Sequence, residues 1–145
     1  MKDITAKDLG IDLQEDSEDA LFKWFLASFL FGKRIQRDIA AEAYRVIADK
    51  YRCATPAALA HCGRRRLVGM LGEARYVRYD ESTAARLLKL CARLEAEYGG
   101  RFAGILAASA DRRDFERHLQ TFEGVGPKTV EIFMREAGRV CYPDV

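Results

Sequence analysis

Residues 20–31 read Ala-Leu-Phe-Lys-Trp-Phe-Leu-Ala-Ser-Phe-Leu-Phe, and this run constrains the fold more than any other stretch of the chain. Wound as an α-helix, it carries Leu21, Phe22, Trp24, Phe25, Leu26, Phe29 and Leu30 around almost its whole circumference. A helix apolar on every side must be surrounded by other elements, so it belongs at the centre of a core. Lys23 interrupts the run, which is also much shorter than the ~20 residues a bilayer span needs. Ser17-Glu-Asp-Ala opens the helix, with carboxylates in the first turn where the helix dipole favours them, and Gly32 closes it. An aromatic cluster of this kind reads as core rather than as a base-stacking platform.

Helical signals continue along the chain. Ile39, Ala43, Val46, Ile47 and Tyr51 recur at helical spacing, which predicts a second helix over residues 35–51. Thr55-Pro56 caps and starts a third, the threonine oxygen accepting from orphan amides and the proline taking the first position. Gly63 and Gly72 bracket a segment over 64–71, and a polar stretch follows over 73–81. Ser82 is read as the cap of a long helix with Leu87, Cys91, Leu94 and Tyr98 on one face, ending at Gly99-Gly100. A short apolar helix over 102–109 comes next, and Asp111 or Asp114 opens another. The last helix covers 128–137 and closes at Gly138. No segment sustains the apolar–polar alternation of a strand. The expectation is an all-α domain of about eight helices over residues 17–145, preceded by an acidic, loosely attached arm over 1–16.

At 145 residues the chain is long enough for one core and too short for two. Residues 1–20 carry two basic against seven acidic side chains, a net of −5, whereas the remaining 125 carry 22 against 15, a net of +7. A basic body behind an acidic leader suits a polyanion-binding domain. The leader lacks the apolar core of a signal peptide. Cys53, Cys62, Cys91 and Cys141 show no paired spacing, so neither a zinc site nor a disulfide framework is expected. Small buried thiols in a reducing cytoplasm fit that pattern, with nucleoid association if the source is bacterial.

The stretch richest in chemistry is Leu119-Gln-Thr-Phe-Glu-Gly-Val-Gly-Pro-Lys-Thr-Val130. A helical run meets Gly124-Val125-Gly126, and a new helix begins on Pro127, whose missing amide would have had no intrahelical partner. Both glycines are expected to turn the backbone with φ > 0. The amides around Gly126, Lys128 and Thr129 then point outward at the positive end of a helix dipole, a seat for phosphate, and Lys128 adds a mobile charge. The alternative reading is an ordinary interhelical turn holding two glycines.

Phe122-Glu-Gly-Val-Gly-Pro-Lys-Thr-Val130 resembles the Leu-Pro-Gly-Val-Gly-x-Lys-Thr-Ala hairpin of the helix-hairpin-helix DNA glycosylase superfamily, in particular its endonuclease III-like branch. Phe29-Leu30 in the first core helix, Thr55-Pro56-Ala-Ala-Leu59, Leu71-Gly72 and Thr83-Ala-Ala-Arg86 follow in the same order as in that family. The resemblance spans most of residues 18–138 and is specific at the hairpin. It implies a six-helix-barrel domain, binding of double-stranded DNA through Gly124, Val125, Gly126, Lys128 and Thr129, and base-excision repair by removal of a flipped, damaged base. In branches with lyase activity the hairpin lysine forms a Schiff base with the sugar and an aspartate assists. Lys128 stands in the lysine's place, and Asp144, 16 residues later, is the candidate aspartate. The family's later helices and four-cysteine iron–sulfur loop have no counterpart, since the cysteines here are 9, 29 and 50 residues apart. No cluster and no other cofactor is therefore expected. A homodimer or a partner chain would be one source of the missing helices. The alternative is a non-catalytic DNA-binding or assembly module that has lost the glycosylase chemistry. A helical protein-interaction domain with no nucleic-acid role is the third reading.

In that family the loop after the first core helix faces DNA and carries a gap-filling glutamine. Lys33 or Gln36 takes its place here, and Lys33 and Arg34 are expected to join Lys128 in a phosphate-binding strip. Arg64-Arg65-Arg66 reads as a solvated helix start. Arg75 and Arg78 flank Tyr76 and Tyr79, an interleaving that would either stack an extruded base or form a surface loop with the tyrosines turned inward. His61 and His118 lack metal-ligand partners at helical spacing, and Ser28, Ser82 and Ser109 lack a histidine–acid context, so neither a metal site nor a hydrolytic triad is expected. The chain carries no membrane signal.

Overall fold

The computed structural model describes residues 3–15 and 17–144; Met1, Lys2 and Asp16 of the leader and the terminal Val145 lie outside it. Ser17 Oγ accepts the Ala20 amide at 3.0 Å, and from this cap α1 runs over Glu18–Phe31. Trp24, Leu26, Ala27, Phe29 and Leu30 are completely buried, so the wrap-around apolar helix is central, packed against neighbours from both ends of the chain. The Trp24 indole N–H donates to the Phe133 carbonyl at 3.1 Å, an interaction between α1 and the last helix.

α2 covers Arg37–Arg45 and continues into a π-helical turn, Val46–Lys50. It starts two residues later than expected because the Ile35 amide donates to Lys33 O at 2.8 Å, a tight turn that keeps Ile35 and Gln36 out of the helix. α3 covers Pro56–Cys62, with Thr55 Oγ1 accepting from the Ala58 amide. α4 covers Arg64–Glu73 and passes through Gly72.

α5 spans Asp80–Tyr98 and begins before Ser82, which does not cap it. The Ser82 hydroxyl lies inside the first turn and donates back to Tyr79 O at 3.2 Å. α6 is short, Phe102–Ala107, and its first amides are capped from across the fold: Phe102 and Ala103 donate to the Glu18 carboxylate at 2.6 and 2.9 Å. At α7, Arg112–Gln120, both candidate openers serve. Asp111 accepts from the Asp114 amide, and the Asp114 carboxylate accepts from the Ala110 amide, each at 2.9 Å.

α8 covers Pro127–Cys141 and passes through Gly138, which does not end it. A Cβ at Gly138 would lie 2.9 Å from an Arg112 guanidinium nitrogen, so the glycine admits a close approach by α7. The core is bound by the rings of Phe25, Phe102 and Phe133, from α1, α6 and α8, with centroids 5.1 to 5.6 Å apart.

The leader is not a loose arm. Its short 3-10 turns, Lys7–Leu9 and Leu13–Glu15, place Leu9, Ile11 and Leu13 in the core together with Ala6. The Ala6 amide donates to the Glu136 carboxylate at 2.9 Å, fastening the leader to α8. The fold is all-α, with no strand among the described residues. Among those residues, no helix is long and apolar enough to cross a membrane.

Candidate nucleic-acid interface

The turn between α7 and α8 is built on buried anchors. Leu119 and Phe122 are buried at the end of α7, and Arg93 from α5 lays its guanidinium 4.4 Å from the centre of the Phe122 ring. The Val125 amide donates to Phe122 O at 3.0 Å and closes the turn, while the Val125 side chain enters the core. Val125 therefore anchors the turn and offers no side chain to a ligand.

Only one of the two glycines has the expected positive φ. Gly124 stands at +89°, and a Cβ there would meet Arg86 Cδ at 3.1 Å and the Phe29 ring at 3.2 Å. Gly126 is extended, at φ −105° and ψ −173°, with open space where a side chain would begin. It is the N-cap of α8 and supplies no capping side chain, so the amides of the first turn, Lys128 and Thr129 among them, face a shallow hollow between the turn and Lys33. These amides sit at the positive end of a 15-residue helix.

Side chains expected to share one strip do different work. Lys33 bends inward, donating from Nζ to the Gly124 carbonyl at 3.0 Å and lying 4.8 Å from the centre of the Phe29 ring. Burial, and then the nearby Arg86 guanidinium, push its ammonium below the usual lysine range. Lys33 is thus a brace that holds the turn. Thr129 is also buried: a Cβ on Gly32 would collide with its hydroxyl, so its side chain locks α8 to the end of α1. Its contribution to an interface is its amide. Lys128 and Arg34 are exposed, and Glu131 is a distant partner of Lys128 at 3.9 Å. The turn's own acid, Glu123, is drawn toward α5 by Lys89 at 3.3 Å and Arg86 at 3.8 Å. The sequence reading missed Arg86 and Lys89, because their position depends on how α5 passes behind the turn.

Asp144 lies far from Lys128. α8 is unbroken between them, and a rise of 1.5 Å per residue puts its ends about 20 Å apart. The segment beyond the helix is tied to the start of α7, where the Tyr142 hydroxyl donates to Asp111 O at 3.2 Å and the Tyr142 ring packs 5.8 Å from that of Phe115. The lysine–aspartate pairing is not formed in this arrangement.

The tyrosines of the 74–79 loop divide. Tyr76 is fully buried with its hydroxyl donating to Leu30 O at 3.3 Å, and burial pushes its pKa up to about 12. Tyr79 is exposed beneath the Arg78 guanidinium, 5.1 Å away. Arg64 leads α4 and pairs with Glu81 at 2.8 Å. Ser109 proves to have a histidine–acid neighbourhood after all. His118 Nδ1 lies 3.0 Å from its Oγ and 3.8 Å from Asp114. Both partners meet the same ring nitrogen, whereas a nucleophile relay needs them on opposite nitrogens. The Ser109 hydroxyl also donates to Ile105 O at 2.7 Å, so the trio ties α6 to α7. Among the described residues, no group of three or more His, Cys, Asp or Glu side chains is arranged to hold a metal ion.

No protein-family model, curated protein or solved structure matches the chain.

Proposed function

We propose that the α7–α8 turn binds the sugar–phosphate backbone of duplex DNA in the helix-hairpin-helix manner, and that the protein acts as a non-catalytic DNA-binding module. The observation that carries this reading is the start of α8. Its N-cap, Gly126, supplies no side-chain hydrogen bond to the first-turn amides, Lys128 stands exposed beside them, and Gly124 and Lys33 hold the turn from behind. Lys128 and Arg34 supply exposed positive charge, while Arg86 and Lys89 hold the turn's own acid, Glu123, toward α5. Contacts of this type position a duplex without reading its bases.

The non-catalytic reading is preferred over base excision because the only carboxylate that the resemblance assigns to catalysis is at the far end of α8. A lyase working through Lys128 alone remains the second reading, since Schiff-base formation requires an accessible amine and the Lys128 side chain is 64% exposed.

Duplex binding followed through a salt series tests the proposal. Each phosphate neutralised contributes about −0.9 to the slope of log K against log salt, so Lys128→Ala should flatten the slope by about one. Intact and lesion-bearing duplexes should bind equally. A slope unchanged in Lys128→Ala, or no duplex binding at low salt, would remove the reading. Borohydride trapping on abasic duplexes separates the two forms: an adduct lost in Lys128→Ala would establish the lyase.

A further inference from the structure

Beside Lys128, away from the turn, a cleft of about 100 Å³ runs between α8, the end of α1, the start of α2 and the leader. Its floor is apolar, formed by Phe31, Ile132 and Ile4, and its cationic wall consists of Arg37, Lys128 and Arg135. Lys128, Ile132 and Arg135 occupy positions i, i+4 and i+7 of α8 and so share one face. Arg37, from the first turn of α2, faces them. Three cations over an apolar floor form a seat for an anion. In the free protein a carboxylate takes it: Asp3 Oδ2 lies 3.1 Å from Arg135 Nη1, and Asp3 Oδ1 lies 3.5 Å from Arg37 Nη2.

We propose that Arg37 and Arg135, with Lys128, form a second backbone-phosphate subsite, and that Asp3 of the leader occupies it as a phosphate mimic until DNA displaces it. The proposal rests on the DNA-binding reading above. Guanidinium groups present the same donors to a carboxylate and to a phosphate, so the two compete for one place. Among the described residues that line the cleft, Asp3 is the one acid beside Arg37, Lys128 and Arg135. Glu131, on α8 beside the cleft, lies 3.9 Å from Lys128. The leader is built to let go locally. Its apolar anchors Ala6, Leu9, Ile11 and Leu13 are buried downstream, whereas Asp3 is 56% exposed. Its ion pairs are of the exposed kind that water and salt readily replace. Turning the Asp3 side chain alone out of the cleft would vacate the seat, while Ile4 stays packed against the core and Thr5 keeps its hydrogen bonds with Asp8.

The experiment compares full-length Asp3→Asn, Asp12→Asn and Arg37→Gln/Arg135→Gln with the parent protein in duplex binding. Asp12 is also on the leader, and its carboxylate accepts from the Gln14 amide, so its variant makes the same charge change away from the cleft. Asp3→Asn should tighten binding about fivefold, the scale of one exposed ion pair, and steepen the salt slope by about one. Asp12→Asn should have a much smaller effect, and the gain from Asp3→Asn should vanish in the double-arginine background. Equal gains in the two aspartate variants, or a gain that survives loss of both arginines, would overturn the proposal. If no variant binds duplex DNA, the DNA reading fails, and tripolyphosphate titrated against the arginine Nε resonances decides the subsite. Shifts of Arg37 and Arg135 that appear at lower concentration in Asp3→Asn would uphold an anion seat, and their absence would sink it.

Discussion

Gly124 and Gly126 look equivalent in a Gly-Val-Gly string, yet they carry different loads. Gly124 has a left-handed φ and touches Arg86 and Phe29, whereas Gly126 is extended with space around it. Gly124→Ala should therefore cost about 1–3 kcal/mol in urea-induced unfolding, from backbone strain and the two close contacts. Gly126→Ala should cost less than about 1 kcal/mol, the small preference for glycine over alanine at a helix N-cap. Equal costs would mean that the turn is held by something other than the Gly124 backbone. The same distinction runs through Lys33 and Lys128. Both were expected at the surface; one donates to a backbone carbonyl inside the turn and the other is exposed. No spacing rule separates them, because the difference depends on a contact across 91 positions of sequence.

Helix ends show which signals are local. Ser17, Thr55, Asp111 and Gly99 act within a few residues of themselves, and their roles are legible in the sequence. The cap of α6 is not, since Glu18 reaches it from 84 positions away. At the α6–α7 corner, the Asp114 carboxylate accepts from the Ala110 amide and pairs with Arg117, and the hydrogen bond from Ala110 leads in holding its pKa below the usual aspartate value. A carboxylate whose folded pKa is depressed contributes stability that is fully present above the unfolded value of about 3.9 and is lost as pH falls through the lower folded value. The corner should thus loosen in acid, below about pH 4. A fall in the protection of the Ala110 amide, its hydrogen-exchange rate taken relative to that of an unstructured amide at the same pH, would report the loosening. Asp114→Asn should remove this pH dependence, and an acid response that persists in the variant would assign the effect elsewhere.

Across the whole molecule, the acidic leader behaves as part of the core. Leu9, Ile11 and Leu13 are buried, and each fully buried residue of that size is worth about 1.5–3 kcal/mol. Deleting residues 1–13 should lower unfolding stability by several kcal/mol, with the fluorescence of the single, fully buried Trp24 and the helical circular dichroism still falling together. An unchanged stability would show that burial of the leader's side chains contributes nothing to the fold. The leader's acidity suggested detachment because its net charge is conspicuous while its apolar residues are few. A few well-placed small and aliphatic side chains dock it, helped by the Ala6–Glu136 hydrogen bond.

Helical class, most helix boundaries and the buried identity of α1 were determined by the sequence alone, because periodicity, capping and apolar coverage act over distances of one or two turns. Residues 124–128 also announced a turn with a helix starting on proline. Tertiary structure decided which of those residues face outward. It turned Val125, Thr129 and Lys33 inward, brought Arg86 and Lys89 behind the turn, and set Asp144 at the opposite end of α8 from Lys128. It also seated the Asp3 carboxylate between two arginines from different helices. These outcomes depend on packing between distant segments, and a linear pattern carries no record of which surfaces will meet.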